Sequence, residues 1–494
     1  MKVLLAVHGY PPELVGGTEL GAQALARAAA AAGHQVTVVA GSLDSGPHFR
    51  ISQDTDHDPE SGAPVAVRRF HRSDLYFDHW QKGCSVEVNR AFRELLDELR
   101  PDVLQVEHWL RLSNDLVATA ARAGVPAVVR LNDHTTTCLL TFRVHPGDRR
   151  ACAREYAPSE CVRCAAQVPP RTPWVPVDQQ YLAFGQRAAT LVRELHLARA
   201  RLVPSLAHGA LLARRLGDPS LDMRVVPPLR TVRLAVAHTP ARPTGGERWR
   251  LGSWGHSSPV KGGELLIEAL DRPALAGRVE LCLAGSAPPP VSERELPVHR
   301  LGPYDPADLA QHPVSSVHVM LSGSLAPESY GAVADEALEL GLPMILPRAG
   351  AFEERFVEQR GVLFYEPADP GDLAAVVTRL LDEPGLWNRL RRRLPRAEDS
   401  LPTPAQVTEH LFELWEQVAR EGAPDVGPKS PEQWYEERML AAESEAWDDA
   451  CSRATPAELG FPPDSPQNSG QDSPLDSGQD SGQDSPLGSG QDSA

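Results

Sequence analysis

The residues best suited to chemistry lie in one stretch, Pro327-Glu328-Ser329-Tyr330-Gly331-Ala332-Val333-Ala334-Asp335-Glu336. Glu328 falls in a loop and Glu336 two turns into the helix that follows, so the two carboxylates can address different parts of one extended ligand. Helical side chains lean toward the N-terminus, which turns Glu336 back toward the loop. A helix beginning near Gly331 aims unpaired N–H groups at an anion held there. Acids at a helix start also favour the dipole without any ligand. That accounts for Glu328 or Asp335 singly and leaves the whole pattern unexplained.

Two glycine-bearing loops could serve the same ligand. In Gly255-His256-Ser257-Ser258-Pro259-Val260-Lys261-Gly262-Gly263, a lysine beside free N–H groups at a helix start suits a diphosphate, the plain alternative being a solvated surface lysine. Gly9-Tyr10-Pro11-Pro12, running to Gly16-Gly17-Thr18-Glu19, follows the first apolar run, where open α/β sheets hold ligands. Paired glycines there often do no more than make the turn.

A third group is made of thiols. Cys161 and Cys164 form a Cys-x-x-Cys pair, and with Cys138 and Cys152 they could hold a structural zinc that folds an insertion at about 138–175. Asp56-His57-Asp58 has the letters of a metal-binding Asp-x-Asp but reads as part of a polar loop, which argues against that role. Most of the 17 histidines, His208, His299 and His318 among them, read as core or surface fillers. Trp434, Tyr435, Met439 and Trp447 read as docking a terminal helix onto the body.

Positioning these loops requires a repeated alternation of buried strands and helices. Val3–Val7, Val36–Ala40, Val103–Val106, Ala127–Leu131 and Leu202–Pro204 read as strands, with helices Ala22–Ala32, Val86–Leu99, Leu116–Ala123 and Tyr181–Leu197 between them. The pattern restarts with strands Trp249–Trp254, Val279–Ala284, Val317–Leu321, Met344–Leu346 and Val362–Tyr365 and helices Gly263–Leu270, Ala332–Leu340 and Leu373–Leu381. The expected class is α/β, two Rossmann-like domains with parallel sheets at 1–228 and 229–403. Helices at 404–461 and an acidic Ser/Gly/Gln/Asp tail at 462–494 follow, the tail being too poor in apolar side chains to offset its ordering entropy.

Composition sets the outer bounds. A formal charge of -17 disfavours binding to nucleic-acid phosphates. No apolar run of about 18 residues offers a transmembrane segment, and the start lacks the long apolar core of a signal peptide. With 7 cysteines and no export signal, reduced thiols and a cytoplasmic location are expected.

The stretch from Glu328 to Glu336, continued by Ala337-Leu338-Glu339-Leu340-Gly341-Leu342-Pro343, resembles the signature of the family-four retaining glycosyltransferases of GT-B fold. The Gly16-Gly17 loop, the Gly255–Gly262 loop and the segment Val362–Asp369 fall in that family's order, over most of the chain from Met1 to about Arg420. The resemblance implies a nucleotide-diphosphate sugar donor and a carbohydrate or glycolipid acceptor. It implies that Glu328 binds donor-sugar hydroxyls and Glu336 the ribose. Lys261, with the helix start at Tyr330-Gly331, would neutralise the diphosphate, the more so because His256 replaces the usual arginine, with His256 and Ser329 also at the donor and Gly16 and Gly17 across the cleft. Catalysis would then rest on Glu328 and Lys261 and require no metal or other cofactor.

Two positions depart from the family. His256 stands where an arginine is usual, and Asn132 stands where the family has a histidine, in Asn132-Asp133-His134. These three residues would lie on the acceptor side. Polysaccharide or glycoconjugate synthesis is the expected setting, and peripheral contact with a membrane surface is compatible with it. The rival readings are a non-catalytic sugar-nucleotide-binding or assembly protein on the same scaffold, and an enzyme of the sugar-nucleotide epimerase type.

Overall fold

The computed structural model describes residues 1–44, 46–73, 83–153, 158–167, 177–218, 220–230, 234, 242–244, 246–256, 258–286, 295–427 and 431–454. The tail at 462–494, parts of the insertion and of the linker, and the Trp447 side chain lie outside the described residues.

The first sheet contains β1 (Lys2–Val7), β2 (Gln35–Gly41), β3 (Arg50–His57), β4 (Pro64–His71), β5 (Val103–Val106), β6 (Ala127–Arg130), β7 (Ala200–Val203) and β8 (Arg224–Val225). Its order is β3-β4-β2-β1-β5-β6-β7-β8, parallel except for the β3/β4 hairpin. The second contains β9 (Trp249–His256), β10 (Val279–Ser286), β11 (Val298–Arg300), β12 (Val319–Leu321), β13 (Met344–Pro347) and β14 (Val362–Tyr365), in the order β11-β10-β9-β12-β13-β14. All its pairings are parallel.

Strands β5, β6, β13 and β14 are buried along their whole length, as crossover helices on both faces require, which explains why they appear in sequence as short unbroken apolar runs. Each strand order reverses once, between β1 and β5 and between β9 and β12. Ligand crevices of doubly wound sheets open at the carboxyl ends of the strands flanking such a reversal. The loops after β1, β5, β9 and β12 are therefore the ones that matter.

The strand β3 corrects the reading of Asp56-His57-Asp58 as a loop. Ile51 is its one aliphatic residue and most of it is exposed, so no apolar alternation marks it. Its pairing with β4 supplies the strand, and Asp56 is a structural anchor. The Asp56 carboxylate accepts from Tyr10 Oη at 2.9 Å, from Gln23 at 3.1 Å and from Arg27 at 2.9 and 2.7 Å, tying the hairpin to the helix Gly17–Ala31. The short strands β8 and β11 and the helix Pro158–Ala165 also escape the periodicity, and β12 begins at Val319 rather than Val317.

The chain returns to its first body at the end. A Thr403/Gln406 capping box starts the helix Pro404–Glu421, whose Val407, Leu411, Leu414, Trp415 and Val418 are buried where it packs on the helix Gly17–Ala31, β5 and β6. Trp415 Nε1 donates to Gln105 Oε1 of β5 at 2.6 Å. The helix Pro431–Arg453 packs on Val86–Leu99, but not through Trp434, Tyr435 or Met439, three of the residues expected to dock it. These are 53%, 68% and 53% exposed, and among the described side chains of this helix the buried one is Cys451. Among the described residues no helix is long and apolar enough to cross a membrane.

Candidate active site

Lys261 and Glu328, 67 positions apart in sequence, meet in the crevice: Lys261 Nζ donates to Glu328 Oε1 at 2.8 Å. Ser324 Oγ donates to the same oxygen at 2.6 Å, and no described protein group donates to Oε2. Burial pushes the Glu328 carboxyl up, but the ammonium of Lys261 and the Ser324 hydroxyl outweigh it and hold it below the ordinary carboxylate range. The Lys261 side chain keeps 37% of its exposure.

Two glycines allow this meeting. Gly262 has φ 69°, and a Cβ there would overlap the carbonyl of Gly323, so the loop after β9 and the loop after β12 touch backbone to backbone. Leu325 N donates to Val260 O at 2.8 Å and fixes their register. His256, the last residue of β9, is exposed beside them.

Downstream of Glu328 the chain turns through Gly331, at φ 80°, where a Cβ would overlap the Phe352 ring. The helix Ala332–Glu339 starts there. The amides of Ser329, Tyr330 and Gly331 donate to no described acceptor, leaving donors at a positive helix end. Arg355 lies 3.8 Å over the Tyr330 ring and pairs with Asp335. Glu336 is buried, accepting from Trp254 Nε1 at 2.8 Å and Tyr304 Oη at 3.4 Å. Burial pushes its carboxyl up, against Arg230 and the Trp254 bond.

The facing wall comes from the first body. Gly16 caps the helix Gly17–Ala31, and the space beside Gly17 is open. Charged groups with no local sequence pattern lie in the same body. His8, the first residue after β1, donates through Nε2 to Glu19 Oε1 at 2.8 Å and lies 4.2 Å from the His108 ring. The Nδ1 atom of His108 accepts from Leu110 N at 3.0 Å, which places its proton on Nε2, facing Asp133 Oδ2 at 3.2 Å. Burial pushes the Asp133 carboxyl up, and His108 and Thr135 more than reverse that. The available signal for His8 and His108 was position, since both follow carboxyl ends of strands.

Of the Asn132-Asp133-His134 triplet, only Asp133 joins this cluster. Asn132 Nδ2 is held by Glu107, at 3.3 Å from its carbonyl and 3.2 Å from its Oε2. His134 Nε2 lies 3.0 Å from the Pro327 carbonyl of the other body, and its ring packs 4.7 Å from that of His208.

His208 and His134 are 2% and 3% exposed, and burial lowers both, His208 to about 3. Unfolded histidine binds a proton below its ordinary value of 6.5 while buried His208 does not, so the stability His208 brings is full above that value and is lost as pH falls. Between pH 7 and pH 5 this group alone is expected to cost about 2 kcal/mol. Urea unfolding at both pH values checks it: the His208→Leu variant should lose less stability on acidification than the wild type, and equal losses would refute the assignment.

The thiols do not converge as a zinc site. Among the described residues no group of three or more His, Cys, Asp or Glu side chains is placed to hold a metal ion. Cys161 and Cys164 lie one turn apart on the helix Pro158–Ala165, where Cys161 packs beside Leu139, Val162 and Phe184. The Cys152 thiol instead accepts from Arg143 Nη2 at 3.6 Å, and burial raises the Cys138 thiol toward its neutral form.

Comparison with known proteins agrees with this division. The family described as Glycosyltransferase Family 4 matches residues 15–229, and the one described as Glycosyl transferases group 1 matches residues 249–383. No curated protein matches the chain. Among solved structures, sucrose-phosphate synthase from Thermosynechococcus elongatus is similar at 18% identity and TM-score 0.59, covering 85% of this chain and 100% of that one. HepE of Anabaena, in complex with UDP-glucose, is similar at 16% identity and TM-score 0.54, with 84% and 100% covered. An α,α-trehalose-phosphate synthase (UDP-forming) from Burkholderia xenovorans, in complex with glucose-6-phosphate, is similar at 13% identity and TM-score 0.55, again with 84% and 100% covered. At such identities the likeness establishes the fold alone.

Proposed function

Because the chain belongs to the group 1, family-four glycosyltransferases, with the GT-B fold, we propose that it is a retaining, metal-independent enzyme using a nucleotide-diphosphate sugar. The observation that carries the reading is the Lys261–Glu328 pair at 2.8 Å beside the open amides of Ser329, Tyr330 and Gly331. Glu328 Oε2 is the acceptor for a donor-sugar hydroxyl. Lys261 and the helix start stabilise the negative charge that develops on the departing diphosphate, work that a divalent cation does in other transferases. Glu336 lies one helix turn and more beyond and takes the ribose. Gly16 and Gly17 approach the diphosphate from the facing wall, where the open space beside Gly17 supports the role. His256, at the end of β9, assists Lys261 at the diphosphate.

The acceptor hydroxyl, on a carbohydrate or glycolipid, enters over the wall carrying His8, His108 and Asp133 and attacks from the face the diphosphate leaves. The departing phosphate takes its proton. The reaction belongs to glycoconjugate or polysaccharide synthesis in the cytoplasm.

A thermal-shift screen of nucleotide-diphosphate sugars, followed by turnover of those that bind, tests the reading. A true donor at a hundred times its dissociation constant adds about 2.7 kcal/mol to stability. Binding without hydrolysis or transfer would make the chain a sugar-nucleotide-binding scaffold. No binding at all would overturn the reading.

A further inference from the structure

The segment that carries Glu328 is held by its main chain. Four successive carbonyls, of Pro327, Glu328, Ser329 and Tyr330, each accept a hydrogen bond, two of them from the helix Ala351–Arg355. Glu328 O accepts from Ala351 N at 2.9 Å and Tyr330 O from Arg355 Nη1 at 2.8 Å, both within the second body. The other two donors come from the first body. Pro327 O faces His134 Nε2 at 3.0 Å, and Ser329 O accepts from Ser205 Oγ at 2.7 Å.

Both first-body donors are well fixed. Ser205 is 1% exposed and caps the helix Leu206–Leu216, accepting from His208 N at 3.1 Å through the same hydroxyl that donates to Ser329. His134 is 3% exposed and wedged against His208. The contact continues outward, where Glu354 accepts from Leu206 N at 3.1 Å and Ala207 N at 2.6 Å. The two donors thus flank Glu328 in the chain, one on each side. Nothing else described from the first body bonds this segment.

We propose that His134 and Ser205 are positioning residues for Glu328, so that the geometry of its carboxylate against Lys261 is complete only when the two bodies are in contact. The proposal rests on the reading of Glu328 as a donor-binding group. It also gives His134 a task other than contact with the acceptor, since its one bonded ring nitrogen is committed to a backbone carbonyl. A donor bound to a separated second body would meet a loop held only at Glu328 O and Tyr330 O, with the Pro327 and Ser329 carbonyls beside the key carboxylate left without their donors. Transfer chemistry would then wait for contact between the bodies.

The test compares wild type with Ser205→Ala/His134→Leu and with Ser205→Thr, which keeps a hydroxyl able to donate and to cap. Turnover of UDP-glucose and ADP-glucose, dissociation constants for UDP and ADP, the unfolding midpoint, and hydrogen exchange of the Ala351 amide are measured on the full chain. The double variant is expected to lose about 100-fold in kcat, the scale of a 1 Å misplacement, with nucleotide affinity within about threefold. Exchange at Ala351 should quicken, and Ser205→Thr should restore both. An unchanged kcat, or a loss that follows nucleotide affinity or unfolding alone, would overturn the proposal. Should the wild type turn over neither sugar nucleotide, the functional reading is what fails in this assay. Exchange at Ala351 then decides the positioning, and unchanged protection in the double variant rejects it.

Discussion

Replacing Glu328 with glutamine is expected to lower turnover of the donor by about 10²–10³-fold while leaving the fold nearly as stable as before. Loss of one preorganised electrostatic partner in a reaction centre costs about 2.7–4 kcal/mol in the transition state. The same change removes an ion pair from the folded state, but Lys261 keeps 37% of its side-chain exposure, so water replaces most of what the ammonium loses. Glutamine also preserves a carbonyl oxygen for Lys261 and Ser324. The destabilisation should stay below about 1 kcal/mol. Initial rates and a urea unfolding curve on the same preparation separate the two effects. Turnover within threefold of wild type would remove Glu328 from the chemistry.

The second large effect belongs to Lys261→Met, and it has two parts. Removing the ammonium takes away a charge-assisted contact to the diphosphate, worth about 1.5–3 kcal/mol, so UDP should bind about 10–150-fold more weakly. The change also acts on Glu328. Burial pushes that carboxyl up, and Lys261 is the foremost group pulling it down. Without Lys261 burial prevails, the carboxyl binds its proton at higher pH, and the acid limb of the kcat/KM profile should move upward. Calorimetric titration with UDP and a pH–rate profile check the parts separately. An acid limb that stays in place would show that another group titrates there, and undiminished UDP affinity would detach Lys261 from the diphosphate.

The readable parts of the site were those with a local pattern. The glutamate pair, the lysine–glycine loop and the apolar runs of β5, β6, β13 and β14 all announce themselves within a dozen residues, because a buried parallel strand and a helix start each impose a composition on their own short stretch. Strand β3 did not, since its face is solvent-exposed and its pairing partner alone makes it a strand. Nor did the His8–Glu19 and His108–Asp133 pairs. His8, His108 and Asp133 follow the ends of β1, β5 and β6, which only the sheet order brings side by side, and Glu19 joins His8 from the first turn of the helix Gly17–Ala31.

The thiols erred the other way. Four cysteines within 27 residues are close in sequence, yet proximity along the chain does not aim their sulfur atoms at one point. The aromatic residues of the last helix make a similar case. Trp434 and Tyr435 are adjacent, so on a helix they cannot share the narrow face that touches Val86–Leu99.

The helix Pro404–Glu421 also governs how the protein can be made. Trp415 has no exposed surface, and its indole rests on Gln105, a residue translated some three hundred positions earlier. At about 5–20 residues per second, Gln105 is made about fifteen seconds or more before the piece that seals its apolar flank. During that interval the nascent chain carries an unsealed hydrophobic trough along β5, β6 and the helix Gly17–Ala31. A chaperone able to cover that trough, or rapid completion of the polypeptide, would govern the yield of active molecules more than the stability of the finished protein does.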